Sequence, residues 1–188
     1  MKKLALIFPG IGYTCDKPLL YYSSKLACQN GYETIGIKYN YKPKENIRGN
    51  EAKMKSVFVE IYKDACLQLD KIGFEDYEEI IFISKSIGTV VATAYASEKN
   101  ISCKHILLTP LKYTFDYPIE SGIAYIGTND TWSNVDEVIK IANSHGVQMH
   151  SFEKLNHSLE GDNIYENVEV LIEILKSMET YMSHSSQN

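Results

Sequence analysis

Segments that read as buried β-strands alternate with segments that read as amphipathic helices along the whole chain, and only the polar run SHSSQN at the end breaks the pattern. This alternation predicts an α/β fold, a three-layer sandwich whose mostly parallel sheet carries helices on both faces, because each βα crossover covers one face. The strands expected are Leu4–Phe8, Thr34–Tyr39, Glu79–Ser84, His105–Thr109, Ile123–Ile126 and Val147–Phe152. The third and fourth are nearly all apolar, as strands buried on both faces are, whereas TIGIKY and VQMHSF mix polar and apolar residues as edge strands do. An order of 2-1-3-4-5-6 puts the two mixed strands at the edges. It also places a topological switch point between strands one and three, where open α/β sheets bind ligands beyond the strands' carboxyl ends.

Helix punctuation supports the same layout. Pro18 stands behind Asp16, an acidic N-cap, and the helix it opens stops at Asn30-Gly31. Met54, Val57, Phe58, Ile61, Ala65 and Leu69 form one apolar stripe on the next helix. Ser133 before Asp136, and Asn163 before Glu166, have capping-box spacing ahead of the last two helices. Residues 1–180 are expected to form a single domain, followed by a disordered polar tail over 181–188.

At 188 residues the chain can bury a core without metal or disulfide staples. A net charge of -5 without a basic cluster excludes a nucleic-acid face. KYNYKPK (Lys38–Lys44) is the one basic, aromatic stretch and reads as a loop. The opening MKKLALIFPGIG puts lysines before an apolar run, but Pro9 stops that run too early for a secretory signal, so it reads as the first strand. No stretch has transmembrane length. The expected setting is cytoplasmic, with no membrane partner, and Cys15, Cys28, Cys66 and Cys103 as free thiols without metal-ligand spacing.

The chemistry is expected at FISKSIGTV (Phe82–Val90), where a buried strand turns within a few residues into a small-residue helix and Ser86 sits at the corner. Ser84, Ser86 and Gly88 give S-x-S-x-G, which resembles the G-x-S-x-G nucleophile elbow of the α/β-hydrolases. Small residues two positions either side of the serine are needed because the strained turn presses the backbone against neighbouring chain. The spacing alone is common; the strand and helix that flank it are the stronger signal. Lys85, beside the serine, points to the other side of the strand by alternation and is expected to face solvent.

In the α/β-hydrolases the acid and the histidine follow the serine on later loops at the carboxyl end of the sheet. GTND (Gly127–Asp130) resembles the turn that delivers the acid, and LNHSLEGDN places His157 before the final helix. Asp116 is the rival acid. His105 and His150 fall in strands, His145 at a helix end and His184 in the tail. FPGIGY (Phe8–Tyr13) occupies the place of the oxyanion loop, and the resemblance implies that the Ile11 and Ile87 N–H groups form the hole. A dinucleotide-binding turn is the alternative for these glycines, but PGIGYT lacks the third glycine of that motif.

The resemblance to a minimal, lidless α/β-hydrolase spans residues 3–178 and is nearest the small carboxylesterases and dienelactone-hydrolase-like proteins. It begins at the third strand of the larger members, and Ser86 stands where dienelactone hydrolases carry a cysteine. It implies a serine hydrolase without cofactor or metal, cleaving a small ester or thioester; a peptidase or acyltransferase would use the same triad, and a catalytically idle scaffold that binds a small ligand is the other class. The connection after strand four, PLKYTFDYPIES, is too short for a lid, so the pocket is expected to be shallow and open. Gly10, Gly12, Tyr13 and Tyr113 are candidate substrate-binding residues, with Tyr41 and Tyr117 on neighbouring loops.

Overall fold

The computed structural model describes residues 2–41 and 47–183. Six strands, β1 (Lys3–Phe8), β2 (Tyr32–Gly36), β3 (Glu79–Lys85), β4 (Lys104–Leu108), β5 (Ser121–Gly127) and β6 (Gln148–Phe152), form one sheet in the order 2-1-3-4-5-6. All five pairings are parallel. Composition had put the mixed strands at the edges, and they lie there: every residue of β4 is buried, while β6 has none buried. The second strand begins two residues and ends three residues before the expected span, so Ile37, Lys38 and Tyr39 follow it as loop rather than strand.

Helices α1 (Pro18–Gln29) and α5 (Ile164–Ser183) cover one face, packed on Ala5, Ile7, Ile81, Ile83, Ile106, Leu108 and Tyr125. The other face carries α2 (Glu51–Leu69), α3 (Ile87–Lys99) and α4 (Val135–Ser144) against Leu4, Leu6, Phe8, Phe82, Leu107, Ala124 and Ile126. Side chains alternate across the sheet, so each strand supplies both cores. In α2 the buried positions are Val57, Ile61, Ala65 and Leu69; Met54 and Phe58, the other members of its stripe, stay half-buried at the carboxyl end of the sheet. Among the described residues no helix is long and apolar enough to cross a membrane.

Three helix ends differ from expectation. Lys17, not Asp16, is the N-cap of α1 and makes no side-chain cap; the Leu19 N–H donates instead to the Tyr13 hydroxyl at 3.1 Å. Asn134, one residue past Ser133, caps α4 by accepting from the Glu137 N–H at 3.3 Å. Both residues are competent caps, and Ser133 instead reaches back to the Pro110 carbonyl. Helix α5 runs through Ser183 with Met182 buried, so 181–183 belong to the folded unit rather than the tail. Residues 184–188 lie outside the described residues, as do 42–44 of the KYNYKPK stretch and His184.

Candidate active site

Every strand of the parallel sheet ends at the same edge, and the loops after β1, β3, β5 and β6 meet there. The β3 ladder continues one residue past the strand, with the Ser86 N–H donating to the Leu108 carbonyl at 2.9 Å. The backbone then reverses at Ser86, which has φ 56° and ψ -127°. That left-handed conformation is costly for a non-glycine residue, and such strain gathers at functional sites. Thr89 holds the turn from inside α3: its N–H and hydroxyl both donate to the Ser86 carbonyl, at 2.9 Å and 2.6 Å. Gly88 is required by contact, since a Cβ there would collide with the Phe8 and Pro9 carbonyls of the loop after β1.

The structure brings Ser86, His157 and Asp130 into a single hydrogen-bonded line. His157 Nε2 lies 2.7 Å from Ser86 Oγ, and His157 Nδ1 lies 2.7 Å from Asp130 Oδ2. A carboxylate can only accept, so the ring proton belongs on Nδ1, leaving Nε2 to accept the serine hydroxyl. Asp130 is fixed from its other oxygen, which accepts the Trp132 N–H at 2.8 Å, and its side chain is wholly buried. Burial pushes the His157 imidazole below its ordinary value, the Asp130 hydrogen bond pulls it back up, and the positive charge of Lys85 pushes it down again. The net shift is downward, so the ring is neutral at pH 7 and able to take a proton.

Asp116, the rival acid, lies on the short 3-10 turn Lys112–Asp116 and lines a neighbouring cavity; the carboxylate bonded to His157 is that of Asp130. His105 is buried against Phe82, His145 packs on Phe115, and His150 stacks on Tyr125.

The loop after β1 closes as a tight turn. Gly10 and Tyr13 exchange backbone hydrogen bonds of 3.0 Å and 3.4 Å, with Ile11 and Gly12 between them. A Cβ on Gly10 would stand 3.1 Å from the Ser86 Cβ, so glycine is what lets this turn sit against the serine. Ile11, Gly12, Tyr13 and Ile87 line a cavity of about 170 Å³ with Ser86, His157 and Trp132. Tyr113 and Tyr117 line a second cavity of about 300 Å³ between α2 and the 3-10 turn, and Tyr41 packs into the core on the α2 side. Met54, Ile87 and Leu111 line both cavities. The space at the serine is small and adjoins a larger one across these three side chains.

Two residues escaped the sequence reading. Trp132 stacks on the His157 ring at 5.5 Å between centroids, 27° from parallel, while its backbone steadies Asp130. Lys85 does not face solvent; it is fully buried. Alternation does send it away from Ser86, but the face it points to is covered by α1, α5 and the loop that carries His157.

No protein-family model and no curated protein sequence matches the chain. Solved structures do. A serine hydrolase homologue from Coxiella burnetii superimposes with a TM-score of 0.68 at 14% identity, covering 94% of this chain and 85% of that one. The chain has the α/β-hydrolase fold. An esterase from Pyrococcus furiosus matches at 0.66 and 14% identity over 96% of this chain and 82% of that one. A serine hydrolase without a lid from Xanthomonas campestris matches at 0.64 and 9% over 97% and 84%. Within the α/β-hydrolase fold, the sharp turn at Ser86 and the loops of Asp130 and His157 stand at the carboxyl ends of β3, β5 and β6.

Proposed function

We propose that the protein is a serine hydrolase of carboxylesterase type that cleaves a small ester or thioester through an acyl-enzyme on Ser86. The observation that carries this reading is the pair of 2.7 Å contacts joining a strained Ser86 to His157 and His157 to a buried Asp130. In the proposed reaction Ser86 Oγ attacks the carbonyl carbon as its proton passes to His157 Nε2. Asp130 keeps the imidazole in the required tautomer and steadies its charged form. Collapse of the tetrahedral intermediate expels the alcohol or thiol, which takes the proton from His157. Water, activated by the same ring, then releases the acid and restores Ser86.

The Ile11 and Ile87 N–H groups are the oxyanion donors in this reading, each contributing about 3 kcal/mol to the transition state. Ester chemistry is favoured by the esterase and hydrolase neighbours, and a small acyl group by the 170 Å³ at Ser86, below the size range of drug-sized sites. Gly12 and Tyr13 belong to the wall of that space, and Tyr113 to its neighbour. A cytoplasmic setting is part of the same reading and fits the four free cysteines. Intact-protein mass after exposure to a small fluorophosphonate tests it: one adduct on the wild type and none on Ser86→Ala is expected. Equal labelling of both, or none on either, would overturn it in favour of a ligand-binding scaffold.

A further inference from the structure

Lys85 continues the apolar column Ile81, Ile83 on the α1/α5 face of β3, in register with Leu108, and is 0% exposed. A leucine or methionine would fill that column without the cost of burying an ammonium group, so the charge is not there for packing. Its Nζ donates to the carbonyl of His157 at 2.5 Å and to Thr109 Oγ1 at 2.5 Å, and sits 5.0 Å from the centre of the Tyr13 ring. Those partners come from the loops after β6, β4 and β1. One side chain therefore grips three of the loops around Ser86 from beneath, and it is anchored on the residue that precedes Ser86.

Thr109 is itself strained, with φ 44°, and its N–H is held by the Tyr125 carbonyl at 2.7 Å. The carbonyl that Lys85 holds belongs to His157, so the contact restrains the backbone from which the imidazole projects. Resting on the hydrolase reading above, we propose that Lys85 is a positioning residue, clamping the His157 backbone and Thr109 so that the imidazole stays in hydrogen-bond reach of Ser86. The geometry demands such a clamp, because His157 sits on an irregular loop between β6 and α5, and a displacement of 1 Å can cost on the order of 100-fold in rate.

The clamp has an electrostatic side. Lys85 is faced by Asp130 after β5, Glu160 in the His157 loop, Tyr13 and the His157 ring. Burial pulls its ammonium down to about 7, against the pull of Asp130 and Glu160 in the other direction. While charged, it disfavours the imidazolium form of His157. Removing Lys85 therefore has two separable effects: the ring loses its anchor, and its proton affinity rises.

The rate of fluorophosphonate labelling at Ser86, followed by intact mass from pH 5 to 9, reads both without knowledge of the substrate. Lys85→Met is expected to slow labelling about 10- to 100-fold per folded molecule and to move the acid limb of the profile to higher pH. Thr109→Val keeps the charge and loses one clamp contact, and is expected to slow labelling several-fold with the acid limb in place. A folded Lys85→Met with wild-type rate and an unmoved acid limb overturns the proposal, as does an unchanged rate in Thr109→Val should Lys85→Met fail to fold. Absence of labelling in the wild type would instead sink the hydrolase reading, and this proposal with it.

Discussion

Lys104 opens β4 at the amino end of the sheet and Lys85 closes β3 at the carboxyl end; the two strands are neighbours, and both side chains are buried. Lys104 meets Glu79 at 2.9 Å, and the same carboxylate takes Lys3 at 2.8 Å and the Tyr32 hydroxyl at 2.6 Å. Burial alone would raise the Glu79 carboxyl, but hydrogen bonds from Lys3, Tyr32 and Lys104 outweigh it and hold it down to about 2. Lys85 has two neutral oxygens for hydrogen-bond partners instead, and its ammonium is pulled down to about 7. At one end the buried charge is neutralised by a carboxylate, and at the other it is held by neutral oxygens. In the proposed hydrolase, stability then belongs to the amino end and chemistry to the carboxyl end, and substitutions at the two ends should separate cleanly.

The largest expected effect lies at the carboxyl end. His157→Ala should abolish ester turnover, on the order of a million-fold in kcat, and Asp130→Asn should cost about ten-thousand-fold, because the amide no longer selects the tautomer with the proton on Nδ1. Both should unfold within a few degrees of the wild type in a thermal melt. An unchanged rate in Asp130→Asn would move the acid to Asp116 despite its place on the neighbouring cavity.

At the amino end the expectation reverses. Glu79→Gln removes the carboxylate charge that Lys3, Lys104 and the Tyr32 hydroxyl share, and should cost about 2 kcal/mol of stability at pH 7 with turnover unaffected. The carboxyl is held below its unfolded value of 4.5, so its contribution is complete above that value and disappears as the pH falls toward about 2. Urea unfolding of both proteins should therefore show a gap that closes between pH 4.5 and 2. A gap that persists at pH 2 would mean that the substitution acts through packing rather than through charge.

Strand order was legible because burial leaves a compositional mark: KHILL is buried along its length, whereas QMHSF at the far edge mixes polar and apolar residues and buries none of them. The meeting of Ser86, Asp130 and His157 was legible because a parallel sheet brings all the strand-end loops to one edge, whatever the details of each loop. Lys85 was misread for a physical reason. Alternation fixes which side of a strand a residue takes, but not what covers that side, and the cover here comes from the 154–160 loop, far away in sequence. Trp132 was missed because stacking on His157 depends on the conformation of the turn after Asp130. Asn134 rather than Ser133 caps α4 because two adjacent residues can both cap, and the competition is decided by the Pro110 carbonyl that Ser133 reaches.

The smallest effect expected concerns filling rather than charge. Leu111 is buried and, with Met54 and Ile87, lines both the 170 Å³ space at Ser86 and the 300 Å³ space beside Tyr113 and Tyr117. Shortening it in Leu111→Ala should join the two, at a stability cost of about 2 kcal/mol from the lost core contact. The joined cavity has apolar and aromatic walls in Phe58, Val90, Tyr113 and Tyr117, so longer acyl chains gain burial they lack in the wild type. Each added methylene buried there is worth about 0.8 kcal/mol, or roughly 4-fold in kcat/KM. Across acetyl, butyryl and hexanoyl esters the wild type should favour the short chains and Leu111→Ala should shift the optimum upward. An identical chain-length profile in the two proteins would mean that the acyl group leaves Ser86 in another direction, and that the larger cavity takes no part in the site.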